Sequence, residues 1–259
     1  MTLQKQLENV LANGDKAFVP YIMAGDGGIE TLKPTILKLQ QIGVSAIEVG
    51  IPFTDPVADG PTIEQAGERA LAHGVTLKKV LVELQSFAQE IHIPLVIMTY
   101  LNPILAYGIE AFAEDAKRGG VQGLIVPDMP YEESALLHDA LKENGIALVQ
   151  LVSLMSPPER IKKLATASEG FVYAVTVNGI TGERASFATE LAGHFANLKA
   201  ASNIPVLAGF GISTTEHVKS FGEIADGVIV GSKIVTALVE QDWATIETLV
   251  QATKKATIN

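Results

Sequence analysis

The stretch Ile47–Ala66, IEVGIPFTDPVADGPTIEQA, changes character twice. It opens as an apolar run in which Glu48 is the one charged residue. It then passes through a loop carrying Pro52, Asp55, Pro56, Asp59 and Gly60, and resumes as a helical pattern. Pro61 opens that helix, where its missing N–H is tolerated. With the period-2 alternation of a strand, Ala46, Glu48 and Gly50 share one face, and Ile47, Val49 and Ile51 share the other. An ionised carboxylate is costly to bury unless it is partnered or functional. A lone acid among small residues therefore reads as the wall of an active site, with a salt-bridged core residue as the alternative.

This strand–loop–helix unit recurs in both directions. Further β-rich runs lie at Ala17–Ala24, Pro94–Tyr100, Gly123–Val126, Ala147–Val152, Gly170–Val177, Ile204–Ala208 and Asp226–Val230, with Ser45–Gly50 making eight. Helical patterns separate them, among them Thr31–Ile42, Leu77–Ile91, Ile109–Arg118 and Glu132–Asn144. An amphipathic segment, Leu3–Leu11, precedes the first strand. Strands alternating with helices predict a parallel sheet with right-handed crossovers. Eight of them in 259 residues predict an α/β fold closed as a (β/α)8 TIM barrel with an extra N-terminal helix, one domain over residues 1–259. An open doubly wound sheet is the alternative; the absence of G-x-G-x-x-G after the first run argues against its dinucleotide-binding form.

Composition limits the chemistry. Hydrophobic residues make up 47% of the chain and its mean hydropathy is +0.28, which implies a large core. No apolar run has the length of a membrane span. The N-terminal segment lacks the apolar centre of a secretory signal, so a cytoplasmic location is expected. The chain has no cysteine, which removes disulfides, thiolate metal sites and cysteine nucleophiles. A net charge of −10 disfavours nucleic acid as a partner, yet a phosphate can still be held by local backbone donors. His73, His92, His138, His194 and His217 are scattered without metal-ligand spacing, so no metal site is expected. No lysine falls inside a predicted strand, which leaves Schiff-base chemistry without an evident nucleophile.

In a barrel of this kind the site lies at the C-terminal ends of the strands. The second half of the chain supplies glycines and hydroxyls there: Gly209-Phe210-Gly211-Ile212-Ser213 after the seventh run, and Gly231-Ser232 after the eighth, opening a helix. Those two loops commonly hold phosphate, with backbone N–H groups and a helix N-terminus facing the anion; singly, the same glycines merely turn strand into helix. Gly182 in the loop after the sixth run is a candidate third donor, and Lys233 at most an electrostatic helper. The first half supplies carboxylates, Glu48, Asp55 and Asp59, the latter two also explicable as turn formers beside Pro and Gly. Acid–base chemistry by carboxylates on a phosphorylated substrate is what remains.

The run Glu48–Ile63, EVGIPFTDPVADGPTI, resembles the signature of the tryptophan synthase α chain family. Supporting matches are Phe18-Val19-Pro20-Tyr21, Tyr173, Gly179-Ile180-Thr181-Gly182, Gly209–Ser213 and Gly231-Ser232, in order and end to end. The resemblance implies retro-aldol cleavage of indole-3-glycerol phosphate to indole and glyceraldehyde 3-phosphate. It implies Glu48 as the acid–base group and Asp59 as the group on the indole N–H, with phosphate on Gly182, Gly211, Gly231 and Ser232. Desolvation on the inner face of the barrel predicts a raised pKa for Glu48. Tyr21, Met98, Tyr100, Ile125, Leu151 and Tyr173 are inward candidates for the indole pocket, or plain barrel core. Asp55 and Thr181 correspond to residues through which two mobile loops of the family meet.

The resemblance further implies an α2β2 complex with a β chain, which carries the pyridoxal phosphate; no cofactor is expected in this chain. The loop Phe53–Pro61 is the expected face toward that partner. Two departures stand out: Val177 and Asn178 replace an arginine and serine frequent in bacterial members, and Tyr21 stands where phenylalanine is frequent. Competing readings are another phosphate-binding barrel enzyme and a non-catalytic activator of the β chain. The spacing of Glu48 and Asp59 argues against the first, and their joint retention against the second.

Overall fold

The computed structural model describes residues 2–176 and 185–255. Nine strands are described: β1 (Ala17–Met23), β2 (Ile47–Gly50), β3 (Leu95–Met98), β4 (Val121–Ile125), β5 (Ala147–Leu148), β6 (Gln150–Ser153), β7 (Val172–Val175), β8 (Val206–Gly209) and β9 (Gly227–Val230). They form one sheet in the order β5-β4-β3-β2-β1-β9-β8-β7-β6, and every pairing is parallel. The two ends of that order, β5 and β6, are consecutive in the chain, so the sheet curls into a barrel whose seam is covalent.

That seam corrects the sequence reading, which expects one strand over Ala147–Val152. The backbone changes partner at Val149. Its N–H bonds the Leu124 carbonyl at 2.9 Å, while the Gln150 N–H bonds the Ser168 hydroxyl and the following residues pair with β7. Closing a tilted, staggered sheet requires one strand to serve two neighbours at different heights, and here the run breaks to do so.

The helices follow the strands. They are α1 (Leu3–Ala12), α2 (Leu32–Ile42), α3 (Pro61–Ala72), α4 (Leu77–Ser86), α5 (Leu101–Tyr107), α6 (Ile109–Arg118), α7 (Ala135–Asn144), α8 (Pro158–Ala167), α9 (Ala185–Ala200), α10 (Thr215–Ile224), α11 (Ser232–Val239) and α12 (Trp243–Gln251). The sequence reading has no counterpart of α5 and runs β3 on to Tyr100. The chain instead leaves the sheet after Met98, and the Leu101 N–H, first in α5, is taken by the Asp128 carboxylate at 2.9 Å. That cap comes from a residue distant in sequence, so no local pattern announces it. The expected helix Leu77–Ile91 stops at Ser86 and is followed by a 3-10 turn, Ala88–Glu90.

Strand alternation divides the buried residues into two layers. Phe18, Ile47, Val49 and Ile97 face outward and pack under the helices. Ala17, Val19, Ala46, Val96, Ile125, Val149, Phe171, Leu207 and Ile229 fill the barrel interior. Helix α1 closes the bottom: Leu3 and Leu7, one turn apart, belong to that interior cluster and are fully buried. Leu3 reaches in because Gly123 and Gly170 have no side chain; a Cβ on either would lie within 2.8 Å of its Cδ2. With the floor sealed and the middle packed, the strand C-terminal ends are left for a site.

Candidate active site

A cavity of about 470 Å³ opens at the C-terminal ends of the strands. Glu48 stands on its wall, on the inner face of β2 between Ala46 and Gly50, only 2% exposed. Its Oε2 is buried with no hydrogen-bond partner among the described residues. Burial, and then the charge of Asp59, push its pKa up to about 8. Buried polar atoms are almost always paired, so an orphan facing a cavity points to a missing ligand.

Asp59 reaches the same cavity from the loop between β2 and α3. A hydrogen-bonded turn, Asp59 N–H to Pro56 carbonyl at 3.2 Å, presents it, and Gly60 hands the chain to α3. Burial pushes the Asp59 pKa up to about 6, opposed by the Tyr100 hydroxyl and reinforced by Glu64. Glu48 therefore holds its proton to higher pH than Asp59 does.

Two tyrosines flank Glu48, and each occupies space that a glycine leaves. Tyr21 lies over Gly50, and Tyr173 over Gly209, where a Cβ would meet its ring at 2.2 Å. Burial, with nearby carboxylates, keeps both phenols protonated well above their ordinary range. Met98 and Leu151 complete the expected part of the apolar wall.

The far end of the cavity carries Gly211, Ser213, Gly231, Ser232 and Lys233. Helix α11 begins at Ser232, so its free N–H groups and positive dipole end face the opening. A Cβ on Gly231 would meet no protein atom nearer than 3.8 Å. A Cβ there would rest in ordinary contact with Tyr21 Cβ and Ile63 Cδ1, so the position has room for a methyl group beside the cavity.

Other expected residues stand apart from the cavity lining. Ile125 is buried in the barrel interior with Val96 and Val149. The Tyr100 ring lies against Phe53 with centroids 5.3 Å apart, and its hydroxyl accepts from the Ala58 N–H at 3.0 Å. Asp55 is exposed on the loop and takes the Thr54 hydroxyl at 2.6 Å. Gly182 and Thr181, with Val177 and Asn178, lie outside the described residues.

Further residues line the cavity beyond the candidates that the sequence analysis names for it. Ile63, Pro127, Ile212 and Ile229 are apolar residues brought in from four separate segments. Phe210 falls within the glycine-rich motif, but its role as a wall depends on its backbone. It has φ 75°, a left-handed conformation uncommon for a non-glycine residue. The Thr176 hydroxyl bridges the Gly209 and Phe210 carbonyls at 2.8 and 2.9 Å and pins this bend. The Phe210 ring then stands 6.0 Å from Tyr173.

A larger cavity, about 840 Å³, lies outside the barrel among α2, α3, α11 and α12. Its principal charged feature is an ordinary ion pair, Arg69 forked on Asp26 with both bonds at 2.7 Å. The perturbed acids are in the smaller cavity, and we place the chemistry there. Among the described residues no group of three or more His, Asp or Glu side chains could hold a metal ion, and no helix is long and apolar enough to cross a membrane.

The sequence profile described as Tryptophan synthase alpha chain matches residues 7–258. The chain belongs to the tryptophan synthase alpha chain family. The tryptophan synthase alpha chain of Bacillus thuringiensis subsp. konkukian (strain 97-27) is 51% identical over 251 residues, covering 97% of each chain. Among solved structures, Mycobacterium tuberculosis tryptophan synthase superposes with a TM-score of 0.89 at 35% identity, covering 98% of each chain. The tryptophan synthase subunit alpha of Legionella pneumophila str. Paris gives 0.88 at 33% identity, again over 98% of each. In this member of the alpha chain family, the acid pair and the open helix end share one cavity.

Proposed function

We propose that the chain cleaves indole-3-glycerol phosphate to indole and glyceraldehyde 3-phosphate, as the α subunit of tryptophan synthase in L-tryptophan biosynthesis. The observation that carries this reading is the pair of carboxyls, Glu48 and Asp59, on one cavity, with the Glu48 proton held to higher pH than that of Asp59. Two acids whose environments push them apart supply a proton donor and an anion.

The reaction follows from that division. Protonated Glu48 gives its proton to C3 of the indole, and the ring nitrogen becomes iminium-like. Asp59, ionised, stabilises the positive charge on the ring N–H. The Glu48 carboxylate then takes the proton of the side-chain hydroxyl next to C3. The C–C bond breaks, its electron pair returns to the ring, and the hydroxyl carbon leaves as the aldehyde. Glu48 ends protonated as it began, so the cycle needs no outside acid or base.

The indole ring is proposed to lie among Tyr21, Met98, Leu151, Tyr173 and Phe210. The phosphate is proposed to lie at Gly211, Gly231 and Ser232, with Gly182 as a further donor and Lys233 adding positive charge. At 470 Å³ the cavity has the size of a small-ligand site.

A β chain is the proposed partner, in an α2β2 tetramer that passes indole onward, with pyridoxal phosphate on the β chain. The loop between β2 and α3 suits a docking face: Val57 at its tip is 80% exposed and Asp55 stands beside it. We assign the assembly to the cytoplasm.

The test is indole release from indole-3-glycerol phosphate by the purified chain, alone and with a β chain. Slow release alone, faster release with the partner, and loss beyond detection in Glu48→Gln are expected. Release that survives Glu48→Gln would remove the acid–base assignment. No release from the parent chain under either condition would favour a non-catalytic activator.

A further inference from the structure

We infer that Tyr100 is the positioning residue for Asp59, clamping both ends of the loop that carries it. Residues 53–59 make two internal backbone bonds, Val57 N–H to Asp55 carbonyl and Asp59 N–H to Pro56 carbonyl. Neither fastens the loop to the barrel. Among the described residues, Tyr100 is the one group outside 53–59 that hydrogen-bonds to them.

It does so through its hydroxyl and adds a ring contact. The ring packs on Phe53 where the loop begins, tilted by 30° with centroids 5.3 Å apart. The hydroxyl oxygen accepts the Ala58 N–H at 3.0 Å where the loop ends. A phenol that accepts through oxygen keeps its own proton, and the Asp59 carboxylate stands near enough for the two groups to shift each other's pKa.

Tyr100 itself is held on both sides. The Thr99 N–H bonds the Ile125 carbonyl at 3.1 Å, and the Leu101 N–H bonds the Asp128 carboxylate at 2.9 Å. Both anchors belong to β4 and the segment after it. The position of Asp59 is thus set by the neighbouring strands, through one side chain. The groups facing Asp59 are Tyr100, Tyr21 and Glu48 from the barrel and Glu64 from α3, with Lys233 on the same cavity from α11. Of these, the Tyr100 hydroxyl is the one that lowers the Asp59 pKa against its burial. That Asp59 must be held ionised for turnover rests on the lyase reading; that Tyr100 holds it does not.

The test uses Tyr100→Phe, which keeps the ring on Phe53 and removes the hydroxyl. Amide hydrogen exchange is expected to show Ala58 losing its protection. Carbon-detected NMR of the Asp59 carboxyl is expected to show it titrating at higher pH than in the parent. With indole-3-glycerol phosphate, kcat is expected to fall about 10-fold while KM changes less than about 3-fold, as for a displaced catalytic group. In Phe53→Leu, whose Tyr100 hydroxyl is intact, exchange is expected to rise across residues 53–59.

Unchanged Ala58 exchange and an unchanged Asp59 titration in Tyr100→Phe would overturn the proposal. A shifted titration with kcat unaltered would overturn its catalytic half. A parent chain without lyase activity would sink the functional reading and leave the exchange and titration results to decide the positioning role.

Discussion

The Tyr21 hydroxyl lies 1.9 Å from where a Cβ on Gly50 would stand, and the ring carbon bearing it 2.4 Å away. A buried ring roofs the glycine two residues beyond Glu48, so the small residue on the inner face of β2 makes room for an aromatic one on β1. Gly50→Ala is expected to push the ring into the cavity. It should cost about 1–3 kcal/mol of stability, as overpacking does, and lower kcat/KM about 10-fold or more. Urea unfolding and steady-state kinetics measure both. Tyr21→Leu in the Gly50→Ala background should recover part of the stability, and failure to do so would place the clash elsewhere.

Glu48 gives the fold a pH dependence of definite sign. Its folded pKa, about 8, lies above the ordinary 4.5, so between those values the folded state holds more protons than the unfolded chain. Stability therefore falls as pH rises through that window. Glu48→Gln cannot ionise and is expected to be more stable than the parent at pH 8 by on the order of 2–4 kcal/mol. The two should converge near pH 4. Equal stabilities at pH 8 in urea titrations would show that Glu48 ionises freely where it stands.

Activity should follow a bell. Asp59 must lose its proton, near pH 6, and Glu48 must keep its own, up to about pH 8. The kcat/KM profile for indole release should rise through the first value and fall through the second. Asp59→Asn should remove the acid limb and lower kcat/KM by about 100-fold or more, the scale of losing a charge that faces the transition state. An unaltered rate in Asp59→Asn would end its role at the ring nitrogen.

Gly231, at the start of α11, is expected to read phosphate. Gly231→Ala places a Cβ in ordinary contact with Tyr21 Cβ and Ile63 Cδ1, at 3.8 and 3.9 Å, so the fold should tolerate it. Binding of the phosphorylated substrate should weaken by about 10-fold or more, because the approach to the N–H groups of α11 is blocked. An indole analogue without phosphate should bind the variant and the parent alike. Equal weakening of both ligands in calorimetry would mean a general narrowing of the cavity.

At the opposite end of the barrel, Leu7→Ala removes a fully buried side chain from the interior cluster. It should cost about 2–4 kcal/mol in urea unfolding. Indole release at a temperature well below unfolding should be unchanged, since the site is formed at the other end of the strands.

The sequence alone determined what alternation and turn chemistry can express. Ala46, Glu48 and Gly50 turn inward and Ile47, Val49 and Ile51 outward because successive side chains on a strand take opposite faces, and the structure keeps that division. The glycines and serine at 211, 231 and 232 announced an open, donor-rich end, and the run from Glu48 to Ile63 announced the family.

Tertiary structure decided whatever depends on residues far apart in the chain. Closure of the barrel splits the run at Val149, because two neighbours must be served at different heights. Packing separates Ile125, buried among interior side chains, from Met98, which lines the cavity, although the two sit opposite each other in register. Tyr100 leaves the wall to stack on Phe53, and Phe210 joins it through a left-handed bend pinned by Thr176. Alternation and turn preference are properties of neighbours in sequence. Interior packing, strand partnership and the two pKa shifts arise only when distant segments exclude water from the same space.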